Sequence, residues 1–132
     1  MTEVLVTPDV EAVAVVFLRS GLGALANKVA TQVPATMPDT MVRVSLTGGS
    51  RRDVVSDAVQ LTVEVWSVDS PTASHVARRA QALMLSAAGA APAGLWVRKV
   101  DSVGGVQFFP DPGTSKSRYQ FTVRWHVRPV SI

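Results

Sequence analysis

The chain has no cysteine, so the side chains that could do chemistry are its imidazoles, carboxylates and arginines. Without a thiol there is no disulfide framework, no thiolate metal site and no cysteine nucleophile. The two histidines, His75 and His126, fall in different predicted elements, and neither stands in an HExxH or other paired spacing that a zinc site needs. His126 lies between Arg124 and Arg128 in an alternating segment, where nearby positive charge disfavours an imidazolium. It reads as a solvated or hydrogen-bonded histidine rather than a general base, and so does His75 on a predicted helix surface.

Gly21-Leu-Gly23-Ala-Leu-Ala26 matches the dinucleotide fingerprint GxGxxA in letters only. It comes late in a helix instead of after a strand, so nothing sets a helix N-terminus against a pyrophosphate. There is no Walker sequence and no GxSxG elbow. Glu64 and Asp69, or Asp101 and Asp111, could meet on folding, but their spacing does not demand it, and surface carboxylates are the default. No catalytic, cofactor-binding or metal-binding residue is predicted, and the chain is expected not to be an enzyme.

Five cationic or titratable residues remain as candidates for contacting a partner. Arg51 and Arg52 sit in a glycine-containing loop, Thr47 to Asp53, while Arg124, His126 and Arg128 share one face of a strand. Such a set could hold phosphates. The aromatic residues of that strand fall on its other, apolar face, so no base-stacking platform accompanies the arginines. A protein neighbour is the better match, since arginine pairs bidentately with carboxylates and is enriched in interfaces.

The element that must position these residues is Arg118-Tyr-Gln-Phe-Thr-Val-Arg-Trp-His-Val-Arg128. Tyr119, Phe121, Val123, Trp125 and Val127 alternate with Gln120, Thr122, Arg124, His126 and Arg128, the signature of a strand with one face buried. Burying that apolar row is worth on the order of 10 kcal/mol, comparable to the net stability of a small domain. Two further strands alternate as cleanly, Met41 to Leu46 and Asp57 to Trp66, and together they suggest an extended hairpin.

Thr7-Pro8-Asp9 predicts a helix start, with Val10, Val13, Ala14, Phe17, Leu18 and Leu25 facing inward and Gly21 or Gly23 weakening or ending the helix. Ser70-Pro71 opens a second helix whose inward stripe is Ala73, Val76, Ala77, Ala80, Leu83 and Met84. Lys28 to Gln32 reads as a short edge strand. Trp96 to Ser102 and Val106 to Phe109 read as strands joined by a tight turn at Gly104-Gly105, and Pro110 to Ser117 as a loop. The predicted fold is α+β: one domain, residues 1–132, with a mainly antiparallel sheet and two helices packed on one face.

An apolar fraction of 47% in 132 residues fits one folded domain rather than a disordered chain. The N-terminus lacks the basic start and long apolar run of a secretory signal, and charges and glycines interrupt the apolar stretch from Val10 to Ala26. A soluble protein, intracellular at synthesis and without a membrane partner, is expected. Net charge is only +3, but the first eighteen residues carry acids alone, while all charges beyond Asp111 are basic. That asymmetry favours head-to-tail contacts with neighbours or an acidic partner.

The ordered series of segments resembles the tail terminator proteins of long-tailed bacteriophages, especially siphophages of actinobacteria. The resemblance rests on Pro8-Asp-Val-Glu-Ala with Phe17-Leu-Arg19, Val42-Arg-Val44 before Gly48-Gly49, and Asp57 to Trp66. It continues through the alanine-rich helix after Ser70-Pro71, Pro110-Asp-Pro112 and Arg118-Tyr-Gln-Phe-Thr-Val123. It implies a structural virion protein at the head–tail junction, assembled in the host cytoplasm as a hexameric ring on the head-proximal end of the tail tube. Such a ring stops tube polymerisation, binds the tail tube protein and the head completion protein, and passes genomic DNA through its channel without specific binding. Another head–tail connector or tail completion protein is the alternative, and a small nucleic-acid-binding module a more distant one.

A closed heterologous ring needs two different complementary faces on each copy. The acidic and basic chain ends could supply them if folding sets those ends on opposing sides. Arg51 and Arg52 are expected to reach an adjacent subunit or the tube. Most of the Arg124, His126 and Arg128 face should avoid the channel, because each arginine–phosphate contact would retard passing DNA.

Overall fold

A computed structural model describes residues 4–53 and 56–131, apart from the side chains of residues 52 and 53. In chain order the elements are β1 (Leu5–Val6), α1 (Val10–Gly21), β2 (Val29–Ala30), β3 (Thr40–Asp53), β4 (Ser56–Ser67), α2 (Ser70–Leu85), β5 (Val97–Phe108), β6 (Ser117–Val127) and β7 (Val130–Ser131). Five strands form a sheet in the order β2-β3-β4-β6-β5, antiparallel except for the β2–β3 pair. The protein is a single small α+β domain with both main helices against the sheet, as the hydrophobic patterning predicts.

β6 occupies an interior position, flanked by β4 and β5 along its length. Phe121, Val123, Trp125 and Val127 are buried on its apolar face, opposite Val63, Leu61, Val59 and Asp57 of β4. The inward stripe of α2 covers this face through Ala73, Val76, Ala77, Ala80 and Met84, with Leu83 partly buried beside them. Small alanines let the helix approach closely, and the Trp125 indole N–H donates to the Met84 carbonyl at 3.1 Å. Phe17 of α1 meets Trp125 edge-on, with ring centroids 6.1 Å apart. The helices themselves touch at Gly21, where a Cβ would stand 2.7 Å from both methyls of Leu83.

Both helices start differently from the threonine- and serine-capped expectation. Asp9 caps α1 by accepting from Ala12 N–H, and Asp69 caps α2 by accepting from Thr72 N–H. A carboxylate at the N-cap satisfies an orphan amide and faces the positive end of the helix dipole. This leaves Thr7 free to donate to the buried Asp57 at 2.6 Å.

The structure corrects two predicted loops. Thr47 to Asp53 is no flexible loop but the continuation of β3, paired with β4 as far as Asp53↔Ser56. Its glycines permit this: Gly48 and Gly49 have φ of 155° and 127° beside a register shift, a conformation that L side chains resist. The predicted turn at Gly104-Gly105 is likewise absent. β5 runs through it as one strand against β6, with register shifts between Val97 and Lys99, Ser102 and Gly104, and Gly104 and Gln107. Bulges absorb the unpaired residues without reversing the chain.

A third correction concerns the chain ends. β1 and β7 pair antiparallel, Leu5 with Ser131 and Val6 with Val130. The first and last strands therefore lie side by side, not on opposing sides of the fold.

Candidate functional site

The helices cover one face of the sheet and leave the other to polar side chains. Strand parity assigns Trp66, Glu64, Thr62, Gln60 and Ala58 of β4 to this uncovered face, opposite Arg118, Gln120, Thr122, Arg124 and His126 of β6. Three groups divide it from one end to the other.

At the first end, Glu64 is buried between two arginines. Arg43 Nε donates to Oε1 at 2.9 Å and Arg118 donates to Oε2 at 3.0 Å. Both guanidinium groups also lie over Trp66, 5.5 and 5.7 Å from its ring centroid. Arg118 donates to the carbonyls of Phe109 and Pro110, which fastens the following loop to the sheet. Asp111 accepts from the Trp66 indole at 2.9 Å, and its carboxyl is held below its ordinary pKa by the Gly113 N–H first and that indole second. Glu64 thus converges with Asp111 rather than with Asp69, through a shared arginine. This group is charge-balanced and saturated with internal bonds.

The middle of the face holds hydroxyls, amides and a single charge, Arg124. Thr47, Thr62 and Thr122 form a hydroxyl row at 3.0 Å spacing, and Arg124 reaches Gln60 Oε1 at 3.5 Å. At the far end, His126 is 0% exposed and its Nε2 lies 2.8 Å from Asp101 Oδ2. An ionised carboxylate only accepts, so Nε2 carries a proton and donates it to Asp101. The other ring nitrogen, Nδ1, has no partner among the described residues. Asp101 is held below its ordinary pKa chiefly by the hydrogen bond from His126.

The five sequence candidates scatter. Arg124 lies on the uncovered face, and His126 is buried in it as a hydrogen-bonded histidine, one of its two expected states. Arg128 follows the end of β6, exposed, with its guanidinium 6.0 Å from the centroid of Trp96. Arg51 donates to the buried Asp57 at 2.7 Å and to the Leu5 carbonyl at 3.3 Å, so it is engaged within the chain. Arg52 belongs to β3, but its side chain lies outside the described residues.

Among the described residues, no group of three or more histidines and carboxylates is placed to hold a metal. A cleft of about 480 Å³ lies between Thr7–Glu11 and the β3–β4 ribbon at Leu46, Arg51 and Asp57. Its carboxylates already have donors: Glu11 accepts from Leu46 N–H, and Asp57 from Thr7 and Arg51. Sequence reasoning missed Glu64 as a hub and Trp96 as a partner of Arg128. The alternation showed that Glu64 and Arg118 face the same way, but which strands are neighbours is not written in either segment. The chain matches none of the protein-family models, and none of the curated proteins matches it.

Proposed function

We propose that the chain is a structural subunit of a long-tailed bacteriophage, a tail terminator that closes the head-proximal end of the tail tube as a hexameric ring. The observation that carries this reading is the ordered series of segments from Pro8 to Val123 described above. The compact α+β domain agrees with it, since a ring subunit must keep surface free for neighbours after closing its own core.

With the chain ends side by side, the two unlike faces of a heterologous ring are the two unlike edges of the sheet. One is β5, with Val103 and Phe108 exposed along it and Phe109 just beyond. The other is the two-residue β2 with the stretch of β3 it leaves uncovered. In this reading the polar residues of the open face contact tube or connector, and DNA passes the ring without specific binding.

Negative-stain imaging of the purified protein tests the ring, and a uniform six-fold particle is the expected result. A strict monomer at all concentrations, alone and with tail tube protein, overturns the reading. Pull-down against tube protein and head completion protein separates a terminator, which binds the tube, from another head–tail joining protein.

A further inference from the structure

Two buried side-chain atoms lack a hydrogen-bond partner among the described residues: Ser56 Oγ and His126 Nδ1. Both belong to one corner of the uncovered face. β4 pairs Asp57 with Val127 and Ala58 with His126, which sets Ser56 two rows beyond His126 on the same face, level with Arg128. Ser56 is 4% exposed and lines a small cavity of about 90 Å³ with Trp96, Arg98, Val127 and Arg128.

Among the described residues the cavity is electrically one-sided. Arg98 and Arg128 both line it, and neither forms a salt bridge with a described residue. Lys99, opposite His126 in the register, adds positive charge nearby, and the adjacent carboxylate, Asp101, is occupied by His126. Two guanidinium groups at one small cavity repel, and a buried hydroxyl without a partner forfeits a hydrogen bond. One oxyanion between them relieves both costs, with the Ser56 hydroxyl re-aimed by rotation about a single bond.

We propose that this corner is an oxyanion pocket whose ligand is the carboxylate of an acidic side chain on a protein partner. The cavity is too small for a nucleotide and admits a single anionic group. A polynucleotide needs a track of unpaired cations, and along this face Arg124 is followed only by Arg43 and Arg118, both spent on Glu64. A protein partner suits the rim. Trp96 is 57% exposed beside Arg128. Tryptophan and arginine together are the residue types that anchor protein interfaces. The proposal does not rest on a ring, since it needs only this corner of one chain.

Proton–nitrogen NMR of the full chain at fixed ionic strength provides the test. The probes are acetate, inorganic phosphate, a short single-stranded DNA, and two capped pentapeptides that differ only in a central aspartate or asparagine. The aspartate peptide and acetate should shift the Trp96 indole resonance saturably, with that resonance identified through Trp96→Phe. The Trp125 indole, bound to Met84 in the core, should stay put. Arg98→Gln and Arg128→Gln should each weaken the aspartate peptide about tenfold. Their unfolding midpoints should not fall, because both side chains are exposed and losing either charge relieves the repulsion. Ser56→Ala should weaken it less. The pocket is refuted if no anion produces a saturable shift, or if the asparagine peptide binds as well as the aspartate one. Tighter binding of phosphate or DNA overturns the carboxylate as its ligand.

Discussion

His126 donates from Nε2 to Asp101 at 2.8 Å, and this is the one hydrogen bond that its fully buried ring makes among the described residues. The contact joins the edge strand β5 to the interior strand β6 on the face without helices. His126→Ala, which leaves a void and frees Asp101, should cost about 2–4 kcal/mol. Asp101→Asn keeps an acceptor for Nε2–H and should cost less. Urea unfolding monitored by tryptophan fluorescence ranks the two, and an Asn variant as damaged as the Ala variant would contradict this account.

Acid should unfold the protein through particular carboxylates. Asp69, Asp101 and Asp111 all have pKa values lowered from 3.8: Asp69 by hydrogen bonds from Thr72, Asp101 by His126, and Asp111 by Gly113 and Trp66. A group whose folded pKa is depressed contributes stability that is present above its unfolded value and lost as pH falls through the folded one. Stability should therefore fall as pH drops below 3.8. Unfolding midpoints measured down a pH series should show this acid limb, and Asp69→Asn or Asp101→Asn should each flatten it.

The Glu64 hub predicts an order of damage. Glu64→Gln leaves Arg43 and Arg118 short of one shared counter-charge, at a cost of about 2 kcal/mol. Arg118→Met should be worse than Arg43→Met. The Arg118 side chain is 13% exposed against 33% for Arg43, and it alone ties down the carbonyls of Phe109 and Pro110. Thermal denaturation of the three variants checks the ranking, and limited proteolysis near Phe109 should increase only in Arg118→Met.

Glycine has unequal value in the two bulged strands. At Gly49, φ is 127° and a Cβ would fall 2.1 Å from the Ala58 carbonyl oxygen. Gly49→Ala should cost at least about 2 kcal/mol. Gly105 has no positive φ and open space around a Cβ. Gly105→Ala should stay within about 0.5 kcal/mol of the parent. Equal melting temperatures for the two variants would refute the assignment of the β3 bulge.

Local pattern was enough to decide which residues form the core and which class of fold they build. The period-two rows at Val59–Val65 and Phe121–Val127, and the helical stripe from Ala73 to Met84, state directly which side of each element meets the others. Length in β3 and β5 was not legible, because glycine runs that mark a turn also permit a bulge, and only the neighbouring strand selects between them. Burial of His126 was not legible either. A histidine between two arginines reads equally as solvated or hydrogen-bonded until Asp101 of another strand is set against it.

Strand order was decided by the tertiary structure alone, and with it every cross-strand relationship: Glu64 between two arginines, Arg51 spent on Asp57, and the first and last strands side by side. The same holds for the corner where Ser56, Arg98 and Arg128 converge around a cavity. Each of these residues announces its chemistry in the sequence. None announces its partner, because alternation defines a face within one strand and carries no information about which strand lies beside it.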